Sequence, residues 1–140
     1  LVAMAEAAER NETPFTPSVP HVAALDVQLD RIDQEGLEKR FERHHAMAER
    51  TRAWAMKRLG LFADEGHRSD TVTAIANTRG IDVAKLLKSL RERGFVCASG
   101  YGKLKGKTFR IGHMGDLTPG DVDELLAVLD ELVTAAGAPA

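Results

Sequence analysis

Apolar residues recur three and four positions apart at Val22, Leu25, Leu29 and Ile32, which places them along one face of a helix. Gly36 interrupts the series. Leu37, Phe41, Ala48, Ala55 and Leu59 resume the same spacing through a second, longer helix with Arg, Glu and His on its outer face. Gly60 and Gly66 close that region, with residues 61–63 forming a short edge strand. Upstream, the Ala/Glu-rich residues 1–10 read as the end of a helix. Residues 11–20 cannot hold a regular element: three prolines remove donors and push Thr13, Thr16 and Val19 into extended conformations. An extended surface connector is predicted there.

From Thr71 the period changes. Residues 71–76 are rich in β-branched side chains and predict a strand, followed by a turn at Asn77-Thr78-Arg79-Gly80. Asp82 then caps a helix with Val83, Leu86, Leu87 and Leu90 on one face, and Gly94 supplies its left-handed stop. Residues 95–98 form a second strand, residues 99–106 a glycine-rich loop and residues 107–113 a third strand. Thr118-Pro119 is an N-cap and first-turn pair, with Asp121 where the helix dipole favours an acid. Val122, Leu125, Leu126, Leu129, Leu132 and Val133 form the buried stripe of the last helix. The expected fold is α+β: two N-terminal helices, then β-α-β-β-α, a small mostly antiparallel sheet with helices on one face. The helix between strands 1 and 2 implies a right-handed parallel crossover, with strand 3 either between them or at one side.

Composition narrows the function classes. A chain of 140 residues suits one domain, and a net charge of −2 with interspersed signs gives no basic stripe for nucleic acid. No apolar run is long enough to span a bilayer, and no signal peptide precedes the first polar segment. Cys97 is the single cysteine, so an internal disulfide is impossible and a cytoplasmic location is expected. The first residue is Leu1: the chain reads as a fragment or processed product, or as one starting at Met4.

Few residues carry chemistry. In the third strand, period-2 alternation puts Phe109 and Ile111 against the helices and Arg110 on the opposite face. A desolvated guanidinium needs a partner, which is either a neighbouring Asp or Glu or the carboxylate of a small ligand. The loop Ser99-Gly-Tyr-Gly-Lys-Leu-Lys-Gly106 allows close backbone approach and attracts anions, but fits no phosphate-binding fingerprint; a solvated hairpin explains it as well. The hydroxyls of Thr13 and Thr16 either bond a phosphate or satisfy nearby backbone. His44 and His45 diverge on a helix, and His21, His67 and His113 have no companions at ligand spacing, so no metal site is expected. Cys97 reads as a small buried hydrophobe.

The segment Gly100-Tyr-Gly-Lys-Leu-Lys-Gly-Lys-Thr-Phe-Arg-Ile-Gly-His-Met-Gly-Asp116, with the capped helix after it, resembles the C-terminal domain of class V (fold type I) pyridoxal-phosphate aminotransferases. The resemblance is nearest to the alanine–glyoxylate and serine–glyoxylate (serine–pyruvate) group. Thr13-Pro-Phe-Thr-Pro-Ser-Val-Pro20 resembles the connector that precedes that domain, with Asn77-Thr-Arg-Gly80 between the two motifs. The resemblance implies that residues 1–20 are a tail and connector from a large domain and residues 21–140 the small domain. It implies that Arg110 binds the substrate α-carboxylate and that Gly100 lines the substrate side of the cleft. Thr16 would reach the pyridoxal 5'-phosphate of a homodimer partner, with Thr13 beside it where some relatives carry tyrosine.

The substrates implied are a small amino acid and a 2-oxo acid. The lysine that anchors the cofactor and the aspartate that pairs with its ring nitrogen belong to the large domain, so none of Lys103, Lys105 and Lys107 is assigned that role and this chain alone is expected to be inactive. A cysteine desulfurase would need a mobile reactive cysteine, and the signature at Arg110 does not look like that of a phosphoserine aminotransferase. From a different class, a non-catalytic stand-alone association domain is the alternative.

Overall fold

The computed structural model describes residues 2–137, which divide into two compact units between Arg40 and Phe41. In the first unit, α1 (Val2–Ala8) leads into irregular chain and then α2 (Val19–Glu35). The helix starts inside the segment expected to be extended: Pro20 lies in its first turn, where a missing N–H costs nothing. Gly36, at φ 85°, ends α2 and donates its N–H to the Ile32 carbonyl, and α3 (Leu37–Arg58) follows directly. No residue of α2 is buried, and Val22, Leu25 and Leu29 are each more than half exposed.

The second unit holds the sheet and the core. β1 (Val72–Ala76), β2 (Ala98–Ser99) and β3 (Thr108–Gly112) pair in the order β1-β3-β2, with β3 central and antiparallel to both. The strand left open by sequence therefore inserts between the other two. β2 is shorter than expected because Phe95 still serves the preceding helix, α4 (Val83–Glu92): its N–H bonds the Leu90 carbonyl at 3.0 Å. Residues 61–63 form no strand, but Leu61 bridges Ile75, and Phe62 donates to the Ala74 carbonyl at 3.0 Å, lining the outer edge of β1.

The helix signals hold at the atomic level. Asp82 accepts from the Lys85 N–H at 3.0 Å, and Gly94 takes φ 90° beyond the end of α4. Thr118 and Asp121 form a reciprocal capping box at the start of α5 (Pro119–Ala135). Phe109, Ile111 and Ile75 share one core with Met47, Ala55 and Leu59 of the α3 region, Leu86 and Leu90 of α4, and Val122, Leu126, Leu129 and Val133 of α5. Each of these side chains larger than alanine contributes about 1.5–3 kcal/mol when fully buried.

The buried arginines of α3 and the buried histidine after β3 are paired. Arg58 binds Asp130, which also accepts from the Trp54 indole at 3.1 Å, tying α3 to α5. Arg52 is held by Glu49, by Asp70 at 2.8 Å and by the Ser69 carbonyl at 2.8 Å. Asp70 answers with a pKa below the ordinary carboxylate value, because the favourable Arg52 and His45 contacts outweigh the opposing effect of burial.

His113 is fully buried, with Nδ1 3.1 Å from the Asp70 carbonyl and Nε2 2.8 Å from the Thr73 hydroxyl. A carbonyl only accepts, so Nδ1 carries the proton and Nε2 accepts from Thr73. Burial lowers the His113 pKa. The unfolded chain takes up a proton near the ordinary histidine value of about 6.5, while the folded chain still refuses it. Stability should therefore be complete above about pH 6.5 and fall on acidification, at up to about 1.4 kcal/mol per pH unit until the folded-state pKa is reached. Urea midpoints measured from pH 7.5 down to pH 5 test this, and His113→Gln should flatten the slope. A slope that survives the substitution would assign it elsewhere.

Candidate functional site

Arg110 sits at the middle of the central strand, directly opposite Ala74 on β1 and Ala98 on β2. Its neighbours along the strand, Phe109 and Ile111, are both fully buried in the core. Alternation therefore sends the arginine out of the other face, between two methyl groups that neither crowd nor pair with it. The guanidinium makes two contacts. Nη2 donates to the Ser99 carbonyl at 3.2 Å, and Cζ lies 4.4 Å from the centroid of the Tyr101 ring. Nε is buried without any hydrogen-bond partner.

The other buried arginines behave differently. Arg52 and Arg58 are neutralised by carboxylates, as the cost of desolvating a charge requires. Among the described residues no carboxylate pairs with Arg110. The internal salt bridge that the sequence left open for it is absent there. What remains is a half-buried guanidinium on a central strand with no acid of its own, a group suited to a planar anion.

Gly100 belongs to the same neighbourhood, between Ser99 and Tyr101. Its N–H donates to the Thr108 carbonyl at 2.9 Å. A Cβ at this position would stand 2.3 Å from the Thr108 hydroxyl oxygen and 2.4 Å from the Leu104 carbonyl oxygen. The missing side chain thus lets two stretches of the protein's own backbone approach each other. Beyond it, a 3-10 turn at Gly102–Leu104 and the bonds from Asn77 Nδ2 to the Ile81 and Gly106 carbonyls, at 2.8 and 3.2 Å, order the loop. Tyr101 is the residue that sequence reasoning passed over. Its signal was the hairpin itself, which brings residues 98–101 alongside 108–110.

Thr13 and Thr16 belong to the first unit, exposed in the irregular chain ahead of α2, and neither hydroxyl has a hydrogen-bond partner among the described residues. Lys103, Lys105 and Lys107 are exposed, as are Lys39, Lys57, Lys85 and Lys88. A cofactor-anchoring lysine works from a desolvated pocket, and none of these side chains is buried. Burial pushes the Cys97 thiol up to about 11, which leaves it protonated and a poor nucleophile. Among the described residues no cluster of His, Cys, Asp and Glu could hold a metal ion, and no helix is long and apolar enough to cross a membrane.

No protein-family model matches the chain. It is 44% identical over 110 residues to an uncharacterized aminotransferase of Methanocaldococcus jannaschii, a match covering 76% of this chain and 28% of that protein. It is 38% identical over 109 residues to serine–glyoxylate aminotransferase of Methylorubrum extorquens, covering 74% of this chain and 27% of the relative. The crystal structure of pyridoxamine–pyruvate aminotransferase from Mesorhizobium loti superimposes with a TM-score of 0.81 at 38% identity, over 89% of this chain and 33% of that one. The chain therefore spans about a third or less of these proteins' length. On the shared sequence and the shared fold together, the chain belongs to the class V aminotransferase family, and corresponds to the C-terminal part of its members.

Proposed function

We propose that this chain is the C-terminal small domain of a pyridoxal-phosphate-dependent aminotransferase, and that Arg110 binds the α-carboxylate of its substrates. Residues 21–140 form that domain, with residues 1–20 the tail and connector from a large domain. The observation that carries the reading is the half-buried Arg110, without a carboxylate of its own and with an orphaned Nε, on a face where the flanking strands offer only alanines. Cofactor and substrate play separate parts. The bound cofactor supplies the electron sink for amino-group transfer. The residues here fit a supporting position toward it: Thr16, with Thr13 beside it, offers an unpartnered hydroxyl to the phosphate of a partner subunit, while no lysine is desolvated enough to anchor it.

The substrates are a small amino acid of the alanine or serine type and a 2-oxo acid of the glyoxylate or pyruvate type. Arg110 grips the carboxylate they share and Gly100 lies in the loop at its side. The exposed apolar face of α2 supports a protein contact, either within a homodimeric enzyme or, on the alternative reading, in a non-catalytic association domain.

Arg110→Ala in an enzyme carrying this chain should raise the KM for both substrate classes about 10–100-fold, the loss of one charge-assisted carboxylate grip, with a smaller change in kcat. Arg110→Lys should recover part of the loss, since it keeps the charge but not the planar fork. Unchanged KM values in Arg110→Ala would reject the assignment and leave the association domain as the better reading.

A further inference from the structure

Tyr101 is an oddity on packing grounds. It is 78% exposed, so the core does not require it, yet its ring face lies over the Arg110 guanidinium. An arginine flanked by Ala74 and Ala98 has no bulky cross-strand neighbour to restrict its rotamers. Left to itself, such a side chain would sample many orientations and lose that freedom on binding an anion. Two contacts oppose this: the Ser99 carbonyl accepts from Nη2, and the cation lies over the Tyr101 ring.

The ring also occupies one side of the cation, with its centroid 4.4 Å from Cζ. A carboxylate reaches two parallel N–H groups at once by approaching in the guanidinium plane, from a side the ring leaves free. Nε and Nη1 have no partner among the described residues, so neither is committed to another acceptor, and Nε is covered by the protein itself. We infer that Tyr101 is a positioning residue for Arg110: its ring pre-orders the guanidinium as an in-plane clamp for the carboxylate of a small monocarboxylic acid. This deepens the function proposed above and rests on Arg110 being the carboxylate-binding group. Tyr101 touches the arginine and acts through it. The phenol oxygen makes no hydrogen bond among the described residues, so Phe should serve as well as Tyr.

The test uses the full 140-residue chain, ¹⁵N-labelled and titrated with pyruvate, with the Arg110 Nε–Hε resonance as reporter. In the wild type, pyruvate should shift this resonance saturably. Tyr101→Phe should bind within twofold of the wild type. Tyr101→Ala should bind about 3–10-fold more weakly, the loss of one partly exposed cation–π contact, with an unchanged urea midpoint. Tyr101→Leu, which keeps apolar bulk but no π face, should match the alanine variant and covers the case in which alanine perturbs the loop. Equal pyruvate affinity in the wild type and in both the Ala and Leu variants would overturn the role of Tyr101 while leaving Arg110 in place. A wild-type Arg110 resonance that pyruvate does not move would overturn both readings.

Discussion

Phe109→Ala is expected to lower the unfolding free energy by about 3–5 kcal/mol, the cost of truncating a fully buried aromatic that leaves a cavity behind. Phe109 is 0% exposed and heads the fully buried side chains by volume; it stands opposite Ile75 on one edge strand and Ser99 on the other. Its loss removes the contact through which the central strand holds both the sheet and the helices above it. Against a total stability of about 5–15 kcal/mol, that is enough to leave a large unfolded fraction at body temperature. Urea denaturation is the measurement. The midpoint should fall by roughly 1–4 M. Val96→Ala, at a position 75% exposed, serves as the control and should stay within about 0.5 kcal/mol of the wild type. Equal, small shifts in both variants would mean that the core closes around the missing ring.

Gly100→Ala is expected to cost about 1–3 kcal/mol by forcing atoms into occupied space. The backbone conformation at Gly100 is ordinary, since it is absent from the glycines at positive φ. The obstacle is the Leu104 carbonyl and the Thr108 hydroxyl at 2.4 and 2.3 Å from the new methyl. A hydroxyl can rotate away, but a carbonyl fixed in the loop cannot. Adding Thr108→Ala to Gly100→Ala should therefore recover only part of the lost stability. The effect should also reach the site, because Ser99 and Tyr101, on either side of Gly100, supply both contacts of Arg110. Pyruvate affinity and urea midpoint should fall together in this variant, whereas Tyr101→Ala should separate them. A Gly100→Ala chain as stable as the wild type would show that the loop backbone yields without penalty.

What the sequence made legible were features written locally. The caps at Asp82 and Thr118, the stop at Gly94 and the alternation that turns Arg110 away from Phe109 and Ile111 each depend on a few adjacent residues. What it hid depends on distant pairing. The residues expected as a second strand begin with Phe95, whose N–H is claimed by the end of α4, so only Ala98 and Ser99 reach the ladder. The central place of β3 could not be chosen from pattern, because either arrangement buries the same two side chains. For α2 the spacing of apolar residues specifies a face that seeks a partner, without saying whether this unit provides one, and none of its residues is buried. The stacking of Tyr101 on Arg110 is invisible until the hairpin register is known.

The strand order has a consequence for how the protein is made. β1 and β2 are not hydrogen-bonded to each other; the strand partner of each is β3, the last strand in the chain. During synthesis no strand of this sheet can find its partner until Gly112 has left the ribosome. At about 5–20 residues per second, β1 waits roughly 2–7 s with Val72, Ile75 and its open hydrogen-bonding edge uncommitted. The Gly60–Phe62 segment, which bonds to β1 from the side that β3 does not use, is already synthesised by then. It can occupy one edge of the waiting strand and leave only the other available to a chaperone or to a neighbouring nascent chain.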